Sequence, residues 1–135
     1  MVQKHSPLIN RGVVGQRISA IIQVVRKLRF RVRLGSKVTF GYNNHFGAGC
    51  MFRPPQEMRL SEDVAFGQGV IVEADLIVGP CTLISSRVSF VGNDHRYDDP
   101  ESTVFWQGRF PPSRIVLEGD NLIGSGVIVV GNVTI

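Results

Sequence analysis

The sequence predicts an all-β solenoid, a chain that turns a corner every six residues, preceded by a short basic helix. Three observations carry this. Large apolar residues recur in steps of six at Leu34, Phe40, Phe46 and Phe52, again from Leu60 through Phe66, Val72, Val78 and Ile84 to Phe90, and again at Leu117, Ile123, Val129 and Ile135. Glycine follows many of these steps, as in Gly35, Gly41, Gly47, Gly67, Gly79 and Gly124. Four residues after the step a smaller side chain recurs, from Val38, Asn44 and Cys50 through Val64, Val70, Leu76, Thr82 and Val88 to Asn121, Val127 and Val133. A helix needs a period of 3.6 and a lone strand a period of two, so neither explains this phase. Short flat strands do, with the large residue inward, stacked on its equivalent one coil away, and glycine where the backbone bends.

Size and composition fit one such body. With 135 residues, 43% hydrophobic and 19% charged, the chain is a single globular unit rather than a disordered one. It divides into residues 1–33, a basic helix with a lead-in strand, and residues 34–135, the coil. The net charge of +4 is unevenly spread: residues 1–56 hold ten Lys and Arg and no Asp or Glu, while residues 57–135 hold five Lys and Arg and all eleven acids. A basic end of this kind points to an anionic partner. Cys50 and Cys81 without a secretory leader point to free thiols in the cytoplasm, and no apolar run approaches the ~18 residues of a membrane span.

In order along the chain, Ile18, Ile21, Ile22, Val25 and Leu28 fall at helical spacing, with Arg17, Arg26, Lys27 and Arg29 outside the stripe. This helix is expected to cap the open first coil with its stripe inward; the alternative is a helix lying on anionic lipid, a peripheral membrane contact through residues 13–33 at the inner membrane face. "FRVRLG" then alternates apolar and basic residues, as a strand entering the coil would. The arginines are not interleaved with aromatics, so no nucleic-acid partner is expected.

The repeat is interrupted twice. From Phe52 to Leu60 the step is eight residues instead of six, with Pro54-Pro55 inside, read as a bulge at a corner. From Phe90 to Leu117 the step is 27 residues, taking in "NDHRYDDPESTVFWQGRFPPSR", read as a polar and aromatic loop over residues 96–116. Long loops on rigid scaffolds carry function, and His95 sits at the root of this one.

The segment "LEGDNLIGSGVIVVGNVTI", residues 117–135, resembles the late coils of the bacterial hexapeptide-repeat acyltransferases, whose pattern runs I-G-D-N-V-W-I-G-x-G-x-V-I-x-x-G-V-T-I. The resemblance covers residues 34–135 and implies a left-handed parallel β-helix with three six-residue sides per coil. It implies an acetyl-CoA-dependent O-acetyltransferase acting on a sugar or polysaccharide precursor, without a metal, assembled as a homotrimer. His95 then corresponds to the catalytic base, and Gly119, Asp120 and Asn121 to the later motif. Ser125, Gly126 and Gly131 correspond to small-residue positions along the pantetheine arm. The pattern is departed from at Glu118 and at Leu122, where tryptophan often stands, and family members usually continue past this point for one or two coils and a basic tail.

The chemistry accounts for the residue types. A hydroxyl attacking a thioester must lose its proton as the C–O bond forms, and an imidazole with a pKa near 6.5 can take it and pass it to the departing thiolate. Asp94, Asp98 and Asp99 are the local carboxylates that can orient the ring; Asp98 can also meet the acceptor. Trp106, Phe105 and Phe110 either offer a flat face to a sugar ring or pin the loop to the coil, and Arg109 and Arg114 can hold a charged group. The γ-class carbonic anhydrases share the fold the resemblance implies, but their zinc needs grouped histidines, and His5, His45 and His95 stand 40 and 50 residues apart. The non-enzymatic alternative is an inactive or truncated scaffold, or a membrane-associated module.

Overall fold

Six residues suffice for one short strand and one corner, and the chain repeats that unit around three sheets. The computed structural model describes residues 13–92 and 94–135; His5 lies outside them. Helix α1 (Val13–Leu34) and a 3-10 turn (Gly35–Lys37) lead into the strands. These are β1 (Val38–Phe40), β2 (His45–Phe46), β3 (Met51–Phe52), β4 (Met58–Leu60), β5 (Ala65–Phe66), β6 (Ile71–Glu73), β7 (Asp75–Val78), β8 (Leu83–Ile84), β9 (Ser89–Val91), β10 (Arg114–Leu117), β11 (Leu122–Ile123), β12 (Ile128–Val130) and β13 (Val133–Thr134). They fall in rotation into three parallel sheets, β1-β4-β7-β10-β13, β2-β5-β8-β11 and β3-β6-β9-β12.

The register sets the predicted steps on one another. Phe40, Leu60, Val78 and Leu117 align in the first sheet, Phe46, Phe66, Ile84 and Ile123 in the second, and Phe52, Val72, Phe90 and Val129 in the third. All are buried except Phe40, which packs on the core half-buried. The smaller residues four positions on close the core at the corners: Val64, Val70, Thr82 and Val88 are fully buried.

Corners stack as faithfully as strands. Asn43, Asp63, Cys81 and Asp120 all adopt left-handed backbone, with φ between 51° and 58°, at one corner. Each later one donates its N–H to the carbonyl of the residue preceding its equivalent in the coil before: Asp63 to Tyr42 (3.0 Å), Cys81 to Glu62 (3.2 Å) and Asp120 to Pro80 (2.8 Å). Glycine has a second use that a backbone bend does not explain. A Cβ on Gly79 would overlap the carbonyl group of Glu118 in the adjacent coil, so here glycine is required by close approach rather than by φ.

The eight-residue step is a bulge, as expected, and it is held from below. Asp75, 3% exposed, accepts the N–H groups of Gln56 (2.7 Å) and Glu57 (2.9 Å) on one carboxylate oxygen, while Lys37 donates to the Pro55 carbonyl (2.7 Å). Two amides that the insertion takes out of the ladder are thereby satisfied.

The N-terminal segment departs from expectation twice. The alternating "FRVRL" is not a lead-in strand; it is the last part of α1, and Leu34 ends the helix rather than beginning the coil. Tertiary packing overrides the alternation, because Phe30 and Leu34, four apart on one helix face, both pack on the core. The predicted stripe is also reversed: Ile18, Ile21, Ile22, Val25 and Leu28 are 41–65% exposed. The helix does cap the first coil, but with other residues. Phe30 sits 4.5 Å from the Phe52 ring and 5.3 Å from that of Phe46, centroid to centroid. Gln23 accepts the Phe46 N–H (2.8 Å) and donates to its carbonyl (3.1 Å), joined there by Arg26. These are backbone groups of β2, the edge strand of its sheet, so the side-chain amide does what a further strand would do.

Gly79→Ala should lower stability by about 2–3 kcal/mol, because the new methyl has backbone, not a flexible side chain, to displace. An unchanged urea midpoint would contradict the close approach. Phe30→Ala should cost about 3–4 kcal/mol in the same measurement, while leaving far-UV circular dichroism largely strand-like.

Candidate functional site

The long excursion between β9 and β10 is shorter than expected at its far end: Arg114 belongs to β10, and the loop closes where Ser113 donates its N–H to the Gly92 carbonyl (2.8 Å). From this root the chain forms a small hairpin. Phe110 donates to the Asp94 carbonyl (3.0 Å), Arg96 donates to that of Gly108 (3.0 Å), and His95 pairs with Arg109 in an antiparallel bridge between them. The Gln107 side chain fills the turn, donating to the carbonyls of Asp99 (2.9 Å) and Ser102 (2.8 Å) and accepting the Asp99 N–H (3.1 Å). Tyr97 packs edge-on against Phe110 at 5.4 Å. The loop therefore has internal order of its own.

His95 is exposed on this hairpin. Asp94, its expected supporting acid, uses Oδ1 to accept the His95 backbone N–H (2.8 Å). Asp98 takes a two-pronged contact from the Arg96 guanidinium (3.0 and 3.1 Å), which holds its carboxyl below the usual range. Asp99 caps the Glu101 N–H (3.0 Å). Among the described residues none of the three carboxylates bonds to the His95 ring. Trp106 and Phe105, 78% and 77% exposed, stand edge to face at 4.8 Å on a 3-10 turn (Val104–Trp106), too exposed to pin the loop to the coil.

The remaining expected residues divide between two places. Gly131 donates its N–H to Val91 (3.2 Å), and the neighbouring Asn132 accepts the N–H of Arg114 (2.8 Å), so Gly131 and Arg114 adjoin the root of the hairpin. The Arg114 guanidinium is held by Glu57 (2.8 Å), which also binds Arg59 (2.7 Å). Ser125 and Gly126 stand at the other end of β12, where the Ser125 hydroxyl donates to the Ser86 carbonyl (2.9 Å). Gly126 and Gly131 have φ of 75° and 85°, so turn geometry by itself accounts for glycine at both.

Two groups of side chains escaped the sequence reading. His45 places Nε2 2.9 Å from the Asn43 carboxamide oxygen, and Asn43 donates to Asp63 (2.6 Å). Burial lowers the His45 pKa, with nearby Lys27 acting in the same direction and Asp63 against both. Nothing in the sequence marks it, because Asp63 stands at the corner equivalent to that of Asn43 and His45 but one coil further on. The second group is a cavity of about 300 Å³ between α1 and the first coil, lined by Arg26, Arg29, Arg33 and Arg53 with Cys50 and Phe30. The spacing of Arg26, Arg29 and Arg33 would have shown it had "FRVRL" been read as helix.

No family model, curated protein or solved structure matches the chain. Among the described residues no three His, Cys, Asp or Glu side chains gather as metal ligands would, and no helix is long and apolar enough to cross a membrane.

Because the folded chain keeps His45 below its ordinary pKa, the unfolded chain binds the proton first as pH falls. The stability this provides is full above about pH 6.5 and is lost below it. Urea midpoints at pH 7.5 and 5.5 should therefore differ more for the native sequence than for His45→Gln. Equal differences would show that His45 is not the group responsible.

Proposed function

We propose that this chain is a left-handed parallel β-helix acyltransferase that moves an acetyl group from acetyl-CoA to a hydroxyl of a sugar or polysaccharide precursor, with His95 as general base. What supports the reading is one juxtaposition: a rigid three-sheet coil interrupted once by an ordered hairpin, which carries an exposed imidazole and an exposed aromatic pair and is rooted beside Gly131. An aromatic face presented to solvent suits a sugar ring, which binds through its C–H surface. In the reaction His95 takes the hydroxyl proton as the oxygen attacks the thioester carbonyl; the C–S bond breaks, and the imidazolium returns the proton to the departing thiolate. Carboxylates engaged inside their own hairpin leave the His95 ring to be oriented from outside it. A site completed by a neighbouring copy, as in a homotrimer, answers that need, with the acceptor supplied in the cytoplasm at the inner membrane face.

A second reading, a coil that binds without catalysing, is favoured by the same observation that the His95 ring lacks a bonded acid. The two are separated by titrating the full chain with acetyl-CoA and following CoA release over a panel of sugars. Saturable binding with sugar-dependent thiol release is expected. His95→Ala should then reduce release by about 10²–10⁴-fold with binding retained. Binding without release from any acceptor would favour the inert coil, and absence of binding would overturn the transferase.

A further inference from the structure

Helix α1 turns two unlike surfaces outward. One is apolar: Val14, Ile18, Ile21, Val25, Leu28 and Val32 follow one another at alternating spacings of four and three, and each is 54–78% exposed. Such a stripe on a helix otherwise rich in arginine has no partner among the described residues. The other is the cationic cavity, in which Arg26, Arg29, Arg33 and Arg53 converge without a lining carboxylate. Arg53 meets Glu73 at 3.6 Å, outside the lining, and no ion pair engages Arg29 or Arg33 among the described residues. The two surfaces adjoin, because Arg29 lies four residues after Val25 and three before Val32, at the edge of the stripe.

We infer that α1 and this cavity dock the protein on an anionic phospholipid surface, with the stripe entering the headgroup boundary and the arginines taking a lipid phosphate. Charge decides the occupant. A second copy laid against the stripe would bring Arg17, Arg29 and Arg31 against their own equivalents, and residues 1–56 offer no acid to pair with them. An anionic bilayer supplies both what the stripe lacks and what the guanidiniums lack, since planar guanidinium forks match phosphate oxygens and an apolar helix face gains by burial at the acyl boundary. Because Gln23, Arg26 and Phe30 already hold the opposite face to the first coil, docking needs no rearrangement of the helix.

The test is sedimentation of the full chain with vesicles of phosphatidylcholine alone and of phosphatidylcholine with phosphatidylglycerol. Binding is expected only to the anionic vesicles, weakening as salt is raised. The double variant Ile21→Ser with Leu28→Ser, at exposed positions that should leave folding intact by circular dichroism, should lose binding. The variants Arg29→Gln and Arg33→Gln should weaken it by about fivefold each. Inorganic phosphate, the alternative source of the same chemistry, should compete only at high concentration. The inference fails if anionic vesicles are not bound, or if binding survives the stripe variant. It fails equally if free phosphate saturates the cavity and displaces nothing that depends on the stripe. It also fails if sedimentation velocity finds an oligomer that the stripe variant dissolves, since the stripe would then be covered by a second copy.

Discussion

The parallel register, which sets each residue directly beside its equivalent in the adjoining coil, governs the rest of this molecule. Neighbouring strands lie ~4.8 Å apart. At that distance an inward phenylalanine must rest on another large apolar side chain, and a corner must repeat the conformation of the corner before it. The ladders from Phe46 to Ile123 and from Phe52 to Val129 meet the first demand. The left-handed residues at Asn43, Asp63, Cys81 and Asp120 meet the second, although none is glycine. An amide donated to the preceding coil offsets the conformational cost of each later one. Gly79 shows the same constraint from the other side: where backbone passes backbone there is no room for a methyl group.

A coil of this kind has ends, and the first is closed by a helix whose use of its faces inverts the usual arrangement. The edge of β2 presents an N–H and a carbonyl at Phe46, which an apolar side chain could cover only by burying them unpaired. Gln23 and Arg26 satisfy them, and Phe30 fills the apolar centre against Phe46 and Phe52. The polar demand of the strand edge thus draws the polar face of α1 inward and leaves its aliphatic stripe outside. Basic charge and exposed apolar surface then occur side by side at one end, while the acids and the hairpin lie further along the chain.

The hairpin is ordered by different physics. It leaves the coil at Gly92, beside the side chains of Ala74 and Ser113, where a Cβ would come within 2.5 Å of that of Ser113. Beyond that point neither the register nor the core acts on it. Order comes instead from the Gln107 bonds, the Arg96–Asp98 pair and the Tyr97–Phe110 contact. The Arg96 pair occupies Asp98, while Asp94 takes the backbone N–H of His95 and Asp99 that of Glu101. The hairpin therefore leaves the His95 ring with no carboxylate bonded to it among the described residues.

The fold was legible because its signal is carried by side-chain size at fixed intervals, and size at intervals is what parallel stacking selects. The two interruptions, the position of the loop and the existence of a basic helix could be read for the same reason. His95, Trp106 and Arg114 were singled out by residue type, but what each would meet was not legible: proximity in sequence put Asp94 beside His95, and the backbone turned its oxygen to an amide. Only the tertiary structure decided which face of α1 looks inward, since an amphipathic pattern records that two faces differ and not which of them the neighbouring surface needs. The neighbour here is an edge with hydrogen bonds to fill, while Phe30 and Leu34, packed on the core, go with a helix that runs on to Leu34 and sets Arg26, Arg29 and Arg33 beside the distant Arg53.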